Sequence, residues 1–338
     1  MGKNGTKSFF ILLTALLTTS STPPLWGADA KVNKVRFVQS GHTASSWPVY
    51  VAQQKKILEK NGIDLEVIII RGATNTTRAV LSETVPIGRI NPDYIISAIE
   101  KGAQVRIVAG NMEKIPYDVI ARPEIKSGAD LKGKTIGVST LTGGTTNMIE
   151  EVFEKAYKLK PTDYKYLVVG TSPDRYAAIK GGSVHATFMG PPFNFRARDE
   201  GFTKLITFHE ILGPIQFTTD FAHLNYLKTH RNDVVQYLRS MIEATGWLYD
   251  PKNKEEAIAI HMKVLKSKRD IAERDYKYLV EEFQPFPRSG AVNKAAMDKT
   301  MDLRIKEGTY KGKTVPPYTN YIDSSLVEEA QKLAGFKP

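Results

Sequence analysis

Between residues 35 and 90, strand-like apolar runs alternate with helical ones: 35–39, a helical stretch at 48–60, a strand at 65–70, a helix at 76–82 and a strand at 87–90. The alternation predicts an α/β arrangement, a sheet covered by helices. Ser46 is placed to cap the helix at 48–60, Pro48 falls in its first turn, and Gly62 follows its end. Nearer the C-terminus, 233–248, 254–265, 272–283 and 325–333 read as amphipathic packing helices.

The pattern repeats. Ser40, Gly72, Asn91-Pro92 and Gly102 lie at separations of 32, 19 and 11; Ser139, Gly170, Gly190-Pro191 and Gly201 lie at 31, 20 and 11, so each copy spans 62 residues. The contents agree too, with Arg78-Ala79-Val80-Leu81 matched by the segment starting at Arg175, and Glu100-Lys101-Gly102 by Asp199-Glu200-Gly201. Two similar α/β lobes are predicted.

Each copy sets a polar, glycine-rich or proline-containing turn after a strand and before a helix, where open α/β sheets bind ligands. After the first strands come Ser40-Gly41-His42-Thr43 and the segment 139–146; after the second, 72–76 and Gly170-Thr171-Ser172. Two further turns are 89–92 and 189–192. A helix start leaves backbone N–H groups unpaired and carries partial positive charge, so an anion can be held there without a lysine. The segment 142–146 is the leading candidate. No Gly-Lys-Ser/Thr follows its glycines, which argues against a nucleotide-binding loop.

Composition narrows the classes. Lys3 and Lys7 precede an apolar run at 9–17, followed by Pro23-Pro24 and Ala28-Asp29-Ala30. That is the layout of a cleavable leader over 1–30, cut before Lys31, and the expected location is the periplasm. The run is shorter than the about 20 residues a spanning helix needs. A net charge of +11 suits an anionic ligand, but it is spread along the chain, and no nucleic-acid partner is expected. With no cysteine, disulfides are excluded; the six histidines show no metal-ligand spacing and no Gly-x-Ser-x-Gly turn occurs, so neither metal nor cofactor is expected.

The stretches 48–52, 62–67, 102–110, 130–138 and 321–333 resemble, in order and spacing, the periplasmic substrate-binding components of the nitrate/sulfonate/taurine class of ABC importers. One departure is that Val85-Pro86 and Val184-His185 stand where that family carries an acidic residue, which bears on ligand identity. The resemblance implies a two-lobed periplasmic binding protein fold of type II, with lobe I at 31–115, lobe II at 116–219, and a return to lobe I over 220–338 across a two-strand hinge. It also implies capture of a small organic anion, sulfonate- or carboxylate-like, closure of the lobes, delivery to an inner-membrane ABC permease, and a monomeric state. The expected contacts are Ser40, Gly41, His42, Trp47, Thr74, Asn75 and Asn91 from lobe I, with Arg89 neutralising the ligand and Trp47 stacking on it. From lobe II they are Thr140, Thr142, Gly143, Thr145 and Gly190. Two alternatives stand beside transport: a periplasmic sensor, and an enzyme like the pyrimidine-precursor synthases of thiamine biosynthesis, whose cysteine-rich segment is missing here.

Overall fold

The computed structural model describes residues 1–2, 32–310, 312 and 314–337; apart from its first two positions, the expected leader lies outside the described residues. Strand β1 (Asn33–Gln39) starts by alternating, Lys34 and Arg36 exposed, Val35 and Phe37 buried, then is buried at every position from Phe37 to Gln39. A parallel strand reads this way where helices cover both faces. The chain continues through α1 (Trp47–Gln54) and the short α2 (Ile57–Lys60) to β2 (Ile63–Ile69), then through α3 (Ala73–Leu81) to β3 (Ile87–Ile90). Both strands pair with β1 in parallel, Phe37 opposite Val67 and Ile87. Helix α4 (Pro92–Glu100) leads to β4 (Val105–Met112).

The second sheet repeats the plan with β5 (Asp118–Ala121), β6 (Thr135–Val138), α5 (Gly144–Tyr157), β7 (Lys165–Val168), α6 (Ser172–Lys180), β8 (Ala186–Met189), α7 (Phe193–Asp199), β9 (Thr203–Thr207) and α8 (Phe208–Leu212). Strand β10 (Thr218–His223) then inserts between β3 and β4, antiparallel to both. The orders are β2-β1-β3-β10-β4 and β7-β6-β8-β5-β9, the same order once corresponding strands are matched. The fold is therefore the two-lobed α/β arrangement that the repeat predicts. The connecting segments run side by side: Ile215 N donates to Glu113 O at 3.0 Å and Phe217 N to Met112 O at 2.8 Å.

The chain ends in α9 (Leu224–Leu248), α10 (Lys254–Leu265), α11 (Arg269–Tyr276) with a π-helical extension over Lys277–Phe283, α12 (Lys294–Lys306) and α13 (Ser325–Leu333). Phe37, Tyr237 and Phe221 from the first lobe and Phe153, Phe188 and Phe208 from the second are all fully buried. Burial at this level is worth about 1.5–3 kcal/mol per side chain.

Several boundaries differ from the sequence reading: α9 begins at Leu224 rather than 233, β2 at Ile63 rather than 65 and α11 at Arg269 rather than 272, and two further helix limits trace to the backbone. The helix expected over 48–60 breaks after Gln54 because Lys56 adopts a left-handed conformation, φ 56°, which interrupts the i→i−4 ladder before α2 resumes. Helix α3 starts at Ala73, earlier than the expected 76, because Gly72 turns the chain with φ 88°, a value glycine adopts freely.

Candidate functional site

The carboxyl ends of both sheets face a shared cleft holding a cavity of about 110 Å³. The last residue of β1, Gln39, and the turn after it, Ser40 and Gly41, face the cleft; Ser45 and Ser46 come from the approach to α1, Gly72 and Ala73 from the start of α3, Arg89 and Asn91 from the end of β3, and Asn111 from β4. The second lobe supplies Ser139, Thr145, Gly170, Thr171, Ser172 and Arg175, while Tyr117, Phe217 and Thr218 form the floor at the connectors. Two nine-residue helices, α3 and α6, begin at this cleft. Their first turns bring the partial positive charge of unpaired N–H groups to it.

The described lining holds hydroxyls, amides and two guanidiniums, and no carboxylate, imidazole, thiol or amine. Donors are in excess: Gln39 Nε2 and Arg89 Nη1 are buried without a partner among the described residues. Gln39 uses its other amide atom, Oε1, to accept from Ser46 Oγ at 2.7 Å. Asn91 Nδ2 donates to Phe217 O at 2.7 Å, fixing the amide at the cleft floor.

The two guanidiniums differ in partnership. Arg89 Nε and Nη2 donate to the two oxygens of Asp220 at 2.6 and 2.8 Å, and Tyr237 Oη donates to the same carboxylate at 2.8 Å. Burial and the Asp220 charge push the Tyr237 phenol well above its ordinary range. Arg175 is only 1% exposed, yet each of its contacts is neutral: Phe188 O at 2.7 Å from Nε, Ser139 Oγ at 2.6 Å and Gly170 O from Nη1, and Ser172 Oγ at 3.3 Å from Nη2. The Phe188 ring lies 4.2 Å from its Cζ. Burial pulls the Arg175 pKa below the ordinary arginine value. The neighbouring carboxylate, Asp174, is turned to other tasks, accepting from Thr171 N and Oγ1 at 2.9 and 2.7 Å and pairing with Arg71 at 3.3 Å. Among the described residues no carboxylate forms an ion pair with Arg175.

Of the expected contacts, Ser40, Gly41, Arg89, Asn91 and Thr145 line the cleft. Arg89 is a correction in role, since Asp220 already matches its charge. Trp47 is a second correction: it is fully buried in the core against His261 and Tyr276, at ring distances of 4.6 and 6.0 Å, so no ligand stacks on it. His261 also bonds Ser267 Oγ at 2.8 Å and Asp275 Oδ2 at 2.7 Å, a serine–histidine–aspartate row that is buried throughout and lies outside the cleft lining. His42 is off the lining, stacked on Tyr50 at 5.8 Å. Thr74 and Asn75 are exposed on the first turn of α3, where Gly72 and Ala73 take the cleft side.

In lobe II, Thr142 is exposed, and Thr140 is spent on a bond between the lobes, Tyr94 Oη to Thr140 Oγ1 at 3.0 Å. Gly143 N donates to Asn147 Oδ1 at 2.7 Å, closing its own turn. Gly190 acts at one remove: a Cβ there would stand 2.8 Å from the ring of Tyr117, so its bareness lets that ring reach the cleft. Beyond the expected contacts the lining gains Ser139, Thr171 and Ser172 from turns the sequence marks as ligand-side, while residues the sequence reading did not single out include Gln39, Tyr94, Asn111, Tyr117 and above all Arg175. One available signal was helical spacing, since Arg175 follows Thr171 and Ser172 by four and three positions and so shares their face of α6.

The family description "NMT1/THI5 like" matches residues 43–254. The chain belongs to the NMT1/THI5-like family. YtlA of Bacillus subtilis is 22% identical over 311 residues, covering 89% of this chain and 91% of the relative. Among solved structures, the periplasmic aliphatic sulphonate binding protein SsuA from Escherichia coli is 19% identical, with TM-score 0.65, covering 87% of this chain and 92% of its own. The periplasmic nitrate-binding protein NrtA from Synechocystis is 14% identical, with TM-score 0.71, covering 90% and 89%. At these identities the likeness establishes the periplasmic binding protein fold. Function has to be argued from the site. No helix among the described residues is long and apolar enough to cross a membrane.

Proposed function

We propose that this NMT1/THI5-like protein captures a small organic anion, sulfonate- or carboxylate-like, between its lobes and delivers it to an ABC permease of the inner membrane. Export through a leader over 1–30, with lobes at 31–115 plus 220–338 and at 116–219, is part of the same reading. The observation that carries it is Arg175: a buried guanidinium on the cleft wall, bonded only to neutral groups. Desolvating a charge without a counter-charge is costly, and an anionic ligand supplies the missing partner. The unpaired donors Gln39 Nε2 and Arg89 Nη1 on the opposite wall add bonds for the rest of the molecule. Because one wall belongs to each lobe, such a ligand favours the closed form.

Binding rather than catalysis is favoured by the lining. Hydroxyls, amides and guanidiniums hold and orient an anion, but general acid–base work needs a group that titrates near the working pH. Titration calorimetry with alkanesulfonates and short carboxylates, on the wild type and on Arg175→Met, tests the proposal. The expected loss on substitution is about 30-fold or more. Tight binding confined to neutral or cationic solutes, or an Arg175→Met variant that binds anions as well as the wild type, overturns it.

A further inference from the structure

The hydroxyls on the cleft lining divide by where their hydrogens go. Ser46 Oγ donates to Gln39 Oε1 at 2.7 Å, Thr171 Oγ1 to Asp174 Oδ2 at 2.7 Å and Thr218 Oγ1 to Asn111 Oδ1 at 2.9 Å, so each spends its one hydrogen on the protein. Ser139 and Ser172 line the same cavity and bond instead to Arg175. A guanidinium has N–H donors and no acceptor, so in each of these contacts the serine oxygen accepts. Arg175 Nη1 reaches Ser139 Oγ at 2.6 Å, a short bond, and Nη2 reaches Ser172 Oγ at 3.3 Å, a looser one. Both serines therefore keep their hydrogens. Ser139 Oγ has Thr145 Oγ1 at 3.4 Å as its other neighbour, outside the usual range of about 2.5–3.0 Å for O–H···O, and Ser172 Oγ has no further partner among the described residues.

Most of the N–H groups of Arg175 are already committed. Nε is given to Phe188 O and Nη1 to both Ser139 Oγ and Gly170 O, which leaves Nη2 alone with a hydrogen to spare. The rest of its charge is felt through the hydroxyls it polarises, because an oxygen that accepts from a cation becomes a stronger donor through its own hydrogen. Resting on the cleft reading above, we infer that Ser139 and Ser172 are ligand-binding residues that donate their hydroxyl hydrogens to the anionic group, and that Arg175 is also the positioning residue that turns those hydrogens toward the cavity. A head group with two or more oxygens that accept and carry no hydrogen, as in a sulfonate or an ionised carboxylate, satisfies both donors at once. Ser139, with the shorter bond from Arg175, is the stronger of the two.

The test is titration calorimetry with propane-1-sulfonate and butanoate on Ser139→Ala, Ser172→Ala, Arg175→Met and the double variant that joins Ser139→Ala to Arg175→Met. Removing a donor to a charged group weakens binding by about tenfold or more at Ser139, and by less at Ser172. Without Arg175 the Ser139 hydroxyl is no longer held in its donating orientation, so Ser139→Ala costs less in the Arg175→Met background than in the wild type, and the two losses combine to less than their product. Circular dichroism and ligand-free melting curves confirm that each variant is folded before its affinity is read. Serine variants that both bind the probes as tightly as the wild type, or Ser139 and Arg175 losses that multiply in full, overturn the inference while leaving Arg175-dependent anion binding intact. Failure of both probes to bind the wild type removes the anion reading and this inference with it.

Discussion

Arg89 and Arg175 are both buried arginines on the cleft wall, one in each lobe, and they differ in what surrounds the charge. Around Arg89 the protein supplies its own counter-charge, with Asp220 bidentate and Tyr237 bridging. Around Arg175 it supplies a serine hydroxyl, two carbonyls, a weaker serine contact and a phenyl face. The first arrangement matches its charge within the protein, leaving only Arg89 Nη1 unpaired, and ties β3 to β10 and α9. The second has neutral hydrogen-bond partners only, and the proposed anionic ligand would complete it. Burial alone would have ranked the two residues together; partnership separates the arginine whose charge the protein matches from the one proposed to meet a ligand.

The largest expected effect comes from breaking the first arrangement. Arg89→Met leaves Asp220 buried without its cation, and such a loss costs about 3–5 kcal/mol. Arg175→Met removes an unmatched charge and should change the stability of the ligand-free protein by less than about 1 kcal/mol. Urea denaturation of the two variants side by side measures the contrast, and equal destabilisation would erase it.

A smaller effect lies at α5, where Asn147 donates to Glu307, just past the end of α12. Burial, with Glu150, Asp93 and Glu151 nearby, pushes the Glu307 carboxyl up to about 8 from an ordinary 4.5. Below pH 4.5 the folded and unfolded chains both hold this proton, and the group contributes nothing to the pH dependence. As pH rises from 4.5 to 8 the unfolded chain releases the proton while the folded chain keeps it, so stability falls with rising pH. Glu307→Gln removes this contribution. Melting temperatures at pH 5 and pH 8 should therefore converge in the variant relative to the wild type, and an unchanged difference would mean that Glu307 is not held protonated.

The smallest effects test the edges of the site. His42→Ala, Thr74→Ala and Asn75→Ala alter positions off the cleft lining, so each should shift anion affinity by less than about 0.5 kcal/mol, as surface changes usually do. A tenfold loss in calorimetry at any of them would extend the site beyond the cavity described.

Much of this molecule was legible along the chain because the signals are local. The alternation of strand and helix, and the spacing shared by 40–102 and 139–201, follow from periodicity over short windows, and the matching sheet orders are their outcome. Ser40, Gly41, Asn91 and Thr145 could be found because the turn after a β-strand has a fixed place at the sheet end. Trp47 could not be placed, since its position at a helix start suits the cleft as well as the core, and the decision rests with His261 and Tyr276 far along the chain. Arg78 and Arg175 look alike in the repeat, yet one is exposed and the other buried.

What the sequence by itself determined, then, is the alternation of elements, the doubling of the lobe and the turns that border the cleft, all set by neighbours within a few residues. Only the tertiary structure decided which polar groups are matched: Asp220 reaches Arg89 across 131 positions, Asp93 reaches Gly144 N across 51, and no carboxylate among the described residues forms an ion pair with Arg175. The physical reason is that a charge is neutralised by whatever lies within a few ångströms in space, and chain distance carries almost no record of that.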